Sequence, residues 1–360
     1  ALSVNAYAPG LKLEPAHVDS LAQRARDATL EEMTCPEPAT GKVLAMVSKP
    51  SFDTNLLASH DEAAVEATYQ NLLSAPNTPL VNRAIGGNMN PPGSVFKLVV
   101  VAAALESGKY TPESEFPNPA TLTLPGTDTV IKNTEGGTCG GGATVTIATA
   151  LRLSCNIPFA ELGQALGAAA IRAQAEKFGF NSSFEIPTRT DASVYPRVLD
   201  DAQTMMSAFG QYDVRATPIQ MAMVSAAIAN GGKVMNPNLV EAITTSDLSP
   251  IRSFNASMYS QAISEQTAAT MTQMMVNGVS SGAASNAAID GVQVAGKTGT
   301  AQNGANDPYT LWFTGFAPAD DPKYAITVLV ENGGGLGQTG YGNLIAAPIA
   351  KKVLEAVLNK

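Results

Sequence analysis

Between Pro15 and Met33 the apolar residues Val18, Leu21, Ala22, Ala25, Ala28 and Leu30 recur at mostly helical spacing, with Arg24, Arg26, Glu31 and Glu32 on the other side. This spacing predicts an amphipathic helix. The period changes after the turn Ala39-Thr40-Gly41-Lys42, where Val43-Leu44-Ala45-Met46-Val47 is a short apolar run that predicts a strand buried on both faces. Because the helical pattern runs up to Thr34-Cys35-Pro36, no strand is expected between that helix and the turn. The breaker Asn90-Pro91-Pro92-Gly93 precedes a dense apolar stretch, Ser94 to Ser107, that predicts a buried helix stopped by Gly108.

Further helices are predicted over Ala143 to Ser154, Ile157 to Leu166, Ala169 to Phe178 and Asp201 to Phe209. Thr217-Pro218, an N-cap followed by proline at the first helical position, opens another that ends at Asn230-Gly231-Gly232. After a helical stretch from Glu265 to Val276 the pattern switches to three short segments rich in Val, Ile, Thr and aromatics: Gly291 to Ala301, Thr310 to Ala317 and Tyr324 to Glu331. These read as strands joined by hairpin connections, and Asn343 to Asn359 closes the chain as an amphipathic helix. The layout is helix, strand, helical insert, three strands, helix, which is an α/β (α+β) chain.

Composition narrows the class. The 360 residues are 45% hydrophobic, enough for a large core, and only 15% charged, against about 25% in typical soluble domains. A formal net charge of -9 disfavours attraction to phosphate backbones, so no nucleic-acid partner is expected. The longest apolar run, Leu98 to Leu105, is far shorter than the roughly 20 residues that cross a bilayer. The chain opens on Ala1 without an initiator Met, and an anchor or upstream domain is expected to precede it. Cys35, Cys139 and Cys155 have no spacing suited to zinc, so neither metal nor other cofactor is expected. Cys139 and Cys155 flank a Gly-rich loop, which allows a disulfide in an oxidising compartment and equally two buried thiols. The methionines Met205, Met206, Met221, Met223, Met274 and Met275 fall at helical spacing and read as core packing.

Three short patterns carry chemistry. Ser94 and Lys97, three apart at a helix start, share a face, so the amine can reach the hydroxyl. A lysine kept neutral among Val95, Phe96, Leu98 and Val99 can take the serine proton, and the first N-H groups of the helix can receive an oxyanion. Alone, S-x-x-K also describes an N-cap serine with a snorkelling lysine. Lys297-Thr298-Gly299-Thr300 sets a cation, two hydroxyls and a close-approach glycine on one strand, a cradle for a carboxylate. Ser154-Cys155-Asn156 is weaker, since Ser3-Val4-Asn5 and Ser253-Phe254-Asn255 match it too; its place near Cys139 and the Gly-rich loop favours it. S-x-x-K, then S-x-N, then K-T-G in that order is the signature set of penicillin-binding proteins and class A β-lactamases.

On these motifs, and on Glu37-Pro38-Ala39-Thr40-Gly41-Lys42-Val43-Leu44-Ala45-Met46, Pro91-Pro92-Gly93-Ser94, Thr217-Pro218-Ile219-Gln220-Met221-Ala222, Ala229-Asn230-Gly231-Gly232 and Trp312-Phe313-Thr314-Gly315-Phe316-Ala317-Pro318, the chain resembles the class B penicillin-binding protein transpeptidases of actinobacteria. The resemblance implies an antiparallel five-stranded sheet flanked by helices with a large helical subdomain, the fold shared with serine β-lactamases. It implies residues 1-10 as the end of a linker from an N-terminal pedestal and 11-360 as the transpeptidase domain. It also implies an acyl-enzyme cycle on peptidoglycan stem peptides ending in D-Ala-D-Ala, with β-lactams as covalent inhibitors. Ser94 would be the nucleophile, Lys97 its base, Ser154 the proton relay and Asn156 the holder of Lys97 and the substrate amide. Lys297, Thr298 and Thr300 would bind the terminal carboxylate with Gly299 between them, and the N-H groups of Ser94 and Thr300 would form the oxyanion hole.

The family places a strand before the Glu37 to Lys42 turn; with a helix predicted there, residues are expected to be missing from the sequence near Thr34 to Pro36. The expected setting is the outer face of the bacterial membrane, among cell-division or cell-wall proteins. A D,D-carboxypeptidase would use the same residues with water as acceptor. A class A β-lactamase would need a Glu-x-x-x-Asn element, and Glu161, Glu176, Glu185 and Glu241 all lack the Asn. A penicillin-sensing module would keep the fold without turnover. A Ser-His-Asp hydrolase is disfavoured because His17 and His60 both read as solvated surface.

Overall fold

The computed structural model describes residues 31–87, 89–133 and 136–358. Its centre is an antiparallel sheet of β1 (Glu31–Pro36), β2 (Val43–Ser48), β3 (Ala295–Ala301), β4 (Thr310–Ala317) and β5 (Tyr324–Val330), in the spatial order β3-β4-β5-β1-β2. The first and last strands of the described residues therefore meet in mid-sheet, where Thr34 pairs with Thr327. The helices are α1 (Glu62–Ser74), α2 (Lys97–Glu106), α3 (Ile147–Leu153), α4 (Ile157–Leu166), α5 (Ala168–Lys177), α6 (Asp201–Ser207), α7 (Pro218–Ala229), α8 (Glu265–Ser281) and α9 (Ala346–Leu358).

Period-two alternation divides the core between the two faces of the sheet. Trp312, Phe316, Ala325 and Leu329 point to the helical side with α2, α4 and α7. Leu311, Phe313, Ile326 and Val328 point the other way and pack with Ala346, Ala350 and Leu354 of α9. Helix α7 is enclosed, being buried from Pro218 through Ile228, and apart from Gln220 and Ser225 its side chains there are apolar. Its cap is the expected one, with Thr217 accepting from the N-H of Gln220 at 3.3 Å. Helix α2 is likewise buried from Lys97 through Ala104. These two buried helices and the sheet make the rigid frame in which the three motifs sit.

Several expectations are corrected. Residues up to 30 of the predicted N-terminal helix lie outside the described residues, but Glu31 to Met33 belong to β1, so a strand does precede the turn. Pairing to β2 on one side and β5 on the other supplies its ladder, and this tertiary pairing overrides the local helical spacing. Pro36 falls at a register shift at the strand end, where its missing N-H is tolerated. With the strand present, the reason for expecting missing residues near Thr34 to Pro36 disappears. Strand β2 lies at the sheet edge and is buried only at Val43 and Leu44, not along both faces. The helix predicted from Ala143 begins at Ile147, because Thr144–Thr146 pair with Glu115–Pro117 as a short ribbon. The strand predicted from Gly291 begins at Ala295. Helix α1 was not anticipated: it buries none of its residues, so its sequence has no apolar stripe to announce it. Met205, Met221, Met223, Met274 and Met275 are buried in the core and Met206 is partly so. His60 is exposed, and His17 lies outside the described residues.

Candidate active site

Ser94 sits in a 3-10 turn, Gly93–Phe96, that runs straight into α2. The approach to it is fixed from three directions. Trp312 Nε1 donates to the Pro91 carbonyl at 3.0 Å, Asn90 Nδ2 to Glu331 at 2.9 Å, and the Gly93 N-H to the Gly210 carbonyl at 2.9 Å. Gly93 has a φ of +53°, and a Cβ there would meet Thr300 O at 3.1 Å. Glycine at 93 is thus what lets the turn that carries Ser94 abut β3.

One helical step of three residues carries Lys97 under Ser94. Its Nζ lies 2.9 Å from Ser94 Oγ, 2.8 Å from the Ser154 carbonyl and 2.9 Å from Asn156 Oδ1. Lys97 is fully buried, with the Phe159 ring 5.3 Å away. Burial, and secondarily the charge of Lys297, hold its pKa well below the ordinary value.

The S-x-N motif lies where α3 stops. Ser154 is the C-cap in the left-handed region, φ 63° and ψ 35°, so its carbonyl turns toward Lys97. That conformation is uncommon for serine and is held by its neighbours. Cys155 is joined to Cys139 by a disulfide, which ties the motif to the Gly-rich loop and closes the alternative left open by the sequence. Asn118 clamps that loop by donating to the carbonyls of Cys139 and Gly142 at 2.7 and 2.9 Å. Buried Asn133 accepts from the N-H groups of Asn156 and Ile157 at 2.9 and 3.1 Å, and Asn156 Nδ2 donates to the Lys132 carbonyl at 3.1 Å. The Asn156 carboxamide is oriented by these bonds with its oxygen on Lys97.

Lys297 points from β3 to the helical side and donates to Ser154 Oγ and to the Thr298 carbonyl, each at 2.7 Å. Burial lowers its pKa to about 7. Thr298 and Thr300 lie on the opposite face of the strand. Thr298 donates its hydroxyl proton to the Ala283 carbonyl at 2.8 Å, so in this arrangement it can only accept from a ligand. Thr300 Oγ1 accepts from the Gly342 N-H at 3.1 Å, which leaves its proton for a ligand. Gly299 is required by space, since a Cβ would meet Pro92 O at 2.9 Å and Val95 N at 3.2 Å.

The structure therefore brings Ser94, Lys97, Ser154, Asn156 and Lys297 into one hydrogen-bonded chain, with Thr298, Gly299 and Thr300 beside it. Asn118, Asn133 and Gly342 escaped the sequence reading, because single asparagines and glycines in loops have no pattern to mark them. Chemically, the cluster offers a hydroxyl with a buried amine of lowered pKa beside it, a second hydroxyl bridged to a second amine, and helix-start N-H groups facing an edge strand.

The model of the penicillin-binding protein transpeptidase domain matches residues 34–355. The chain belongs to this family of penicillin-binding protein transpeptidase domains. It is 42% identical over 328 residues to the peptidoglycan D,D-transpeptidase PbpA of Mycolicibacterium smegmatis, an alignment covering 90% of this chain and 66% of that protein. To the peptidoglycan D,D-transpeptidase MrdA of Haemophilus influenzae it is 30% identical, over 90% of this chain and 52% of the relative. Its fold matches that of penicillin-binding protein A from M. tuberculosis in a ceftriaxone acyl-enzyme complex, with a TM-score of 0.90 and 38% identity over 96% of this chain and 78% of that one. The penicillin G acyl-enzyme of the same protein gives a TM-score of 0.88, with 37% identity over 96% of this chain and 79% of that one. The transpeptidase-domain fold and the mixed sheet-and-helix architecture expected from the sequence are thus both found.

Proposed function

We propose that this chain is a serine D,D-transpeptidase that cross-links peptidoglycan stem peptides ending in D-Ala-D-Ala and is acylated by β-lactams. The observation that carries the reading is the contact between buried Lys97 Nζ and Ser94 Oγ, 2.9 Å, with two acceptors filling the rest of the amine's shell.

Ser94 Oγ attacks the carbonyl of the penultimate D-Ala and gives its proton to the Lys97 lone pair. The N-H groups of Ser94 and Thr300 receive the oxyanion, at a helix start where backbone donors already point the same way. The bond to the terminal D-Ala breaks as its nitrogen takes a proton through Ser154 Oγ, which Lys297 holds. An ester on Ser94 remains; the amine of a second stem peptide attacks it and loses a proton to the same relay, and Ser94 Oγ leaves by taking back the proton held on Lys97. Lys297 and Thr300 bind the terminal carboxylate by charge and by the hydroxyl proton that Gly342 leaves available; Thr298 turns to join them by giving up its bond to Ala283. Asn156 keeps Lys97 in place and meets the substrate amide.

We propose further that residues 11-360 make up the transpeptidase domain and 1-10 the end of a linker, and that the protein works at the outer face of the bacterial membrane, held by an anchor and beside cell-division or cell-wall proteins. The substrate is assembled there, and a Cys139–Cys155 disulfide suits an oxidising compartment. Among the described residues no helix is long and apolar enough to cross a membrane. The test is release of D-Ala from an acetylated stem peptide with and without an added amine. Incorporation of the amine into product supports the reading, hydrolysis alone would make the protein a carboxypeptidase, and no release would defeat it.

A further inference from the structure

Thr298 and Thr300 are each held by a different loop. Thr298 gives its hydroxyl proton to the carbonyl of Ala283, in the loop between α8 and β3, at 2.8 Å. Thr300 Oγ1 accepts from the N-H of Gly342, in the loop between β5 and α9, at 3.1 Å. The Ala283 N-H in turn donates to the Arg152 carbonyl, and the Gly342 carbonyl accepts from Ala347 at the start of α9, each at 2.9 Å. Deeper down, Ala284, Ala287, Ala346 and Ala347 root both loops in the core on the α9 side of the sheet.

At the rim the two loops are fastened to each other through Asn286 and Asn343. The Asn286 N-H donates to Asn343 Oδ1 and Asn286 Nδ2 donates to the Asn343 carbonyl, each at 2.9 Å, while Asn343 Nδ2 donates to Ser285 Oγ at 3.2 Å. Three bonds from separate atoms resist sliding as well as separation. Asn286 is exposed and Asn343 half-buried, so neither side chain belongs to the core below. A hydroxyl turns its one proton toward the acceptor best placed for it. The Gly342 N-H occupies a lone pair of Thr300 and so directs that proton away from the loop, whereas the Ala283 carbonyl draws the Thr298 proton inward. The spacing of the two loops therefore sets what the edge of β3 offers an anion.

Resting on the transpeptidase reading above, we infer that Asn286 and Asn343 are positioning residues for carboxylate recognition. Their clasp keeps Gly342 on Thr300 and Ala283 beside Thr298, and so presets both hydroxyls for the terminal carboxylate of a stem peptide or the carboxylate of a penicillin. Its part is in the hold on the acid group, not in the attack by Ser94.

The test compares second-order acylation by penicillin G with acylation by its methyl ester, both followed by intact mass. The wild type should prefer the free acid by about tenfold or more, the scale of a hydrogen bond to a charged group. Asn343→Ala should cut that preference by about threefold or more while leaving the methyl ester rate within about twofold, as loss of part of such a bond would. Asn286→Ala removes only the Nδ2 bond and should cut it less. In a Thr300→Val background, where Gly342 has no hydroxyl to hold, Asn343→Ala should change the remaining preference far less than it does in the wild type. A preference unchanged in Asn343→Ala, an equal loss on acid and ester, or the full loss in the Thr300→Val background would overturn the inference. If Asn343→Ala fails to fold, Asn286→Ala decides, and failure of both would make the clasp structural and overturn it as well. The wild type separates the two levels: no ester with penicillin G defeats the transpeptidase reading and the clasp together, whereas an ester formed equally fast from acid and methyl ester removes the clasp and leaves the Ser94 reading standing.

Discussion

Lys97 Nζ lies 2.9 Å from Ser94 Oγ while its other two polar neighbours, the Ser154 carbonyl and Asn156 Oδ1, can only accept. A neutral amine has two N-H bonds for those acceptors and one lone pair for the Ser94 proton. Full burial and the nearby charge of Lys297 both favour the neutral form. Lys97 is thus a buried amine in contact with the Ser94 hydroxyl, with its pKa held below the ordinary value.

Removing the Lys97 amine, the proposed base, should be severe without unfolding the protein. Lys97→Ala is expected to lower the rate of acylation by penicillin by about 10²–10⁴-fold, the span of general-base contributions. Its melting temperature should stay near the wild-type value, because burying an amine is costly in itself. Stopped-flow or mass-resolved acylation checks this, and a folded variant reacting at the wild-type rate would contradict the base role.

The two buried amines make the reaction and the fold depend on pH in set directions. The second-order acylation constant reports the free protein. It should fall on the acid side as Lys97 is protonated, and fall again above about 7 as Lys297 loses its charge, and with it the proposed hold on a carboxylate. For stability, Lys297 has a folded value of about 7 against an ordinary 10.5, so the unfolded chain binds more protons between the two. Unfolding free energy therefore rises with pH across that window. Thermal melts in the wild type and Lys297→Met test it; the rise should be weaker in the variant, and equal slopes would remove Lys297 as the cause.

The disulfide joins Cys155, inside the S-x-N motif, to Cys139 in a loop clamped by Asn118. The cross-link spans a sequence separation of 16, for which loop closure is worth about 3 kcal/mol. Reduction should lower the melting temperature by several degrees, and it should slow acylation because Ser154 and Asn156 flank the released cysteine. Melts and acylation rates with and without a dithiol reductant measure both effects. Unchanged acylation in the reduced protein would mean that the motif is held by Asn133 and the Ser154 turn alone.

Gly299 is the point of contact between β3 and the Ser94 turn. A Cβ there meets Pro92 O at 2.9 Å and Trp312 Cβ at 3.2 Å, backbone and packed groups that cannot swing aside. Gly299→Ala should push β3 off the Ser94 turn, cutting acylation by at least about tenfold and costing about 1–3 kcal/mol in urea unfolding, as overpacked sites do. Wild-type acylation and stability together would show that the contact relaxes freely.

The sequence made the site more legible than the sheet. Ser94 with Lys97 and Lys297 through Thr300 each lie within one element, so their spacing alone fixes which side chains can meet. Ser154 needed the order of the motifs, since Ser253 and Ser3 match the same short pattern. What brings the three pieces together is tertiary: the Asn133 bonds to Asn156, the Gly93 contact with Gly210 and the Trp312 bond to Pro91 join residues far apart in the chain. Strand β1 was misread for a related reason. Its strand character comes from β2 and β5 on either side, the latter nearly three hundred residues later in the chain. Local periodicity cannot report a partner so distant.

The central claim is that Ser94 forms a covalent ester, and intact mass after adding penicillin G, followed over hours, tests it most directly. The account predicts a persistent shift of one penicillin in the wild type and none in Ser94→Ala. A shift that survives in the variant, or no shift in the wild-type protein, would contradict it.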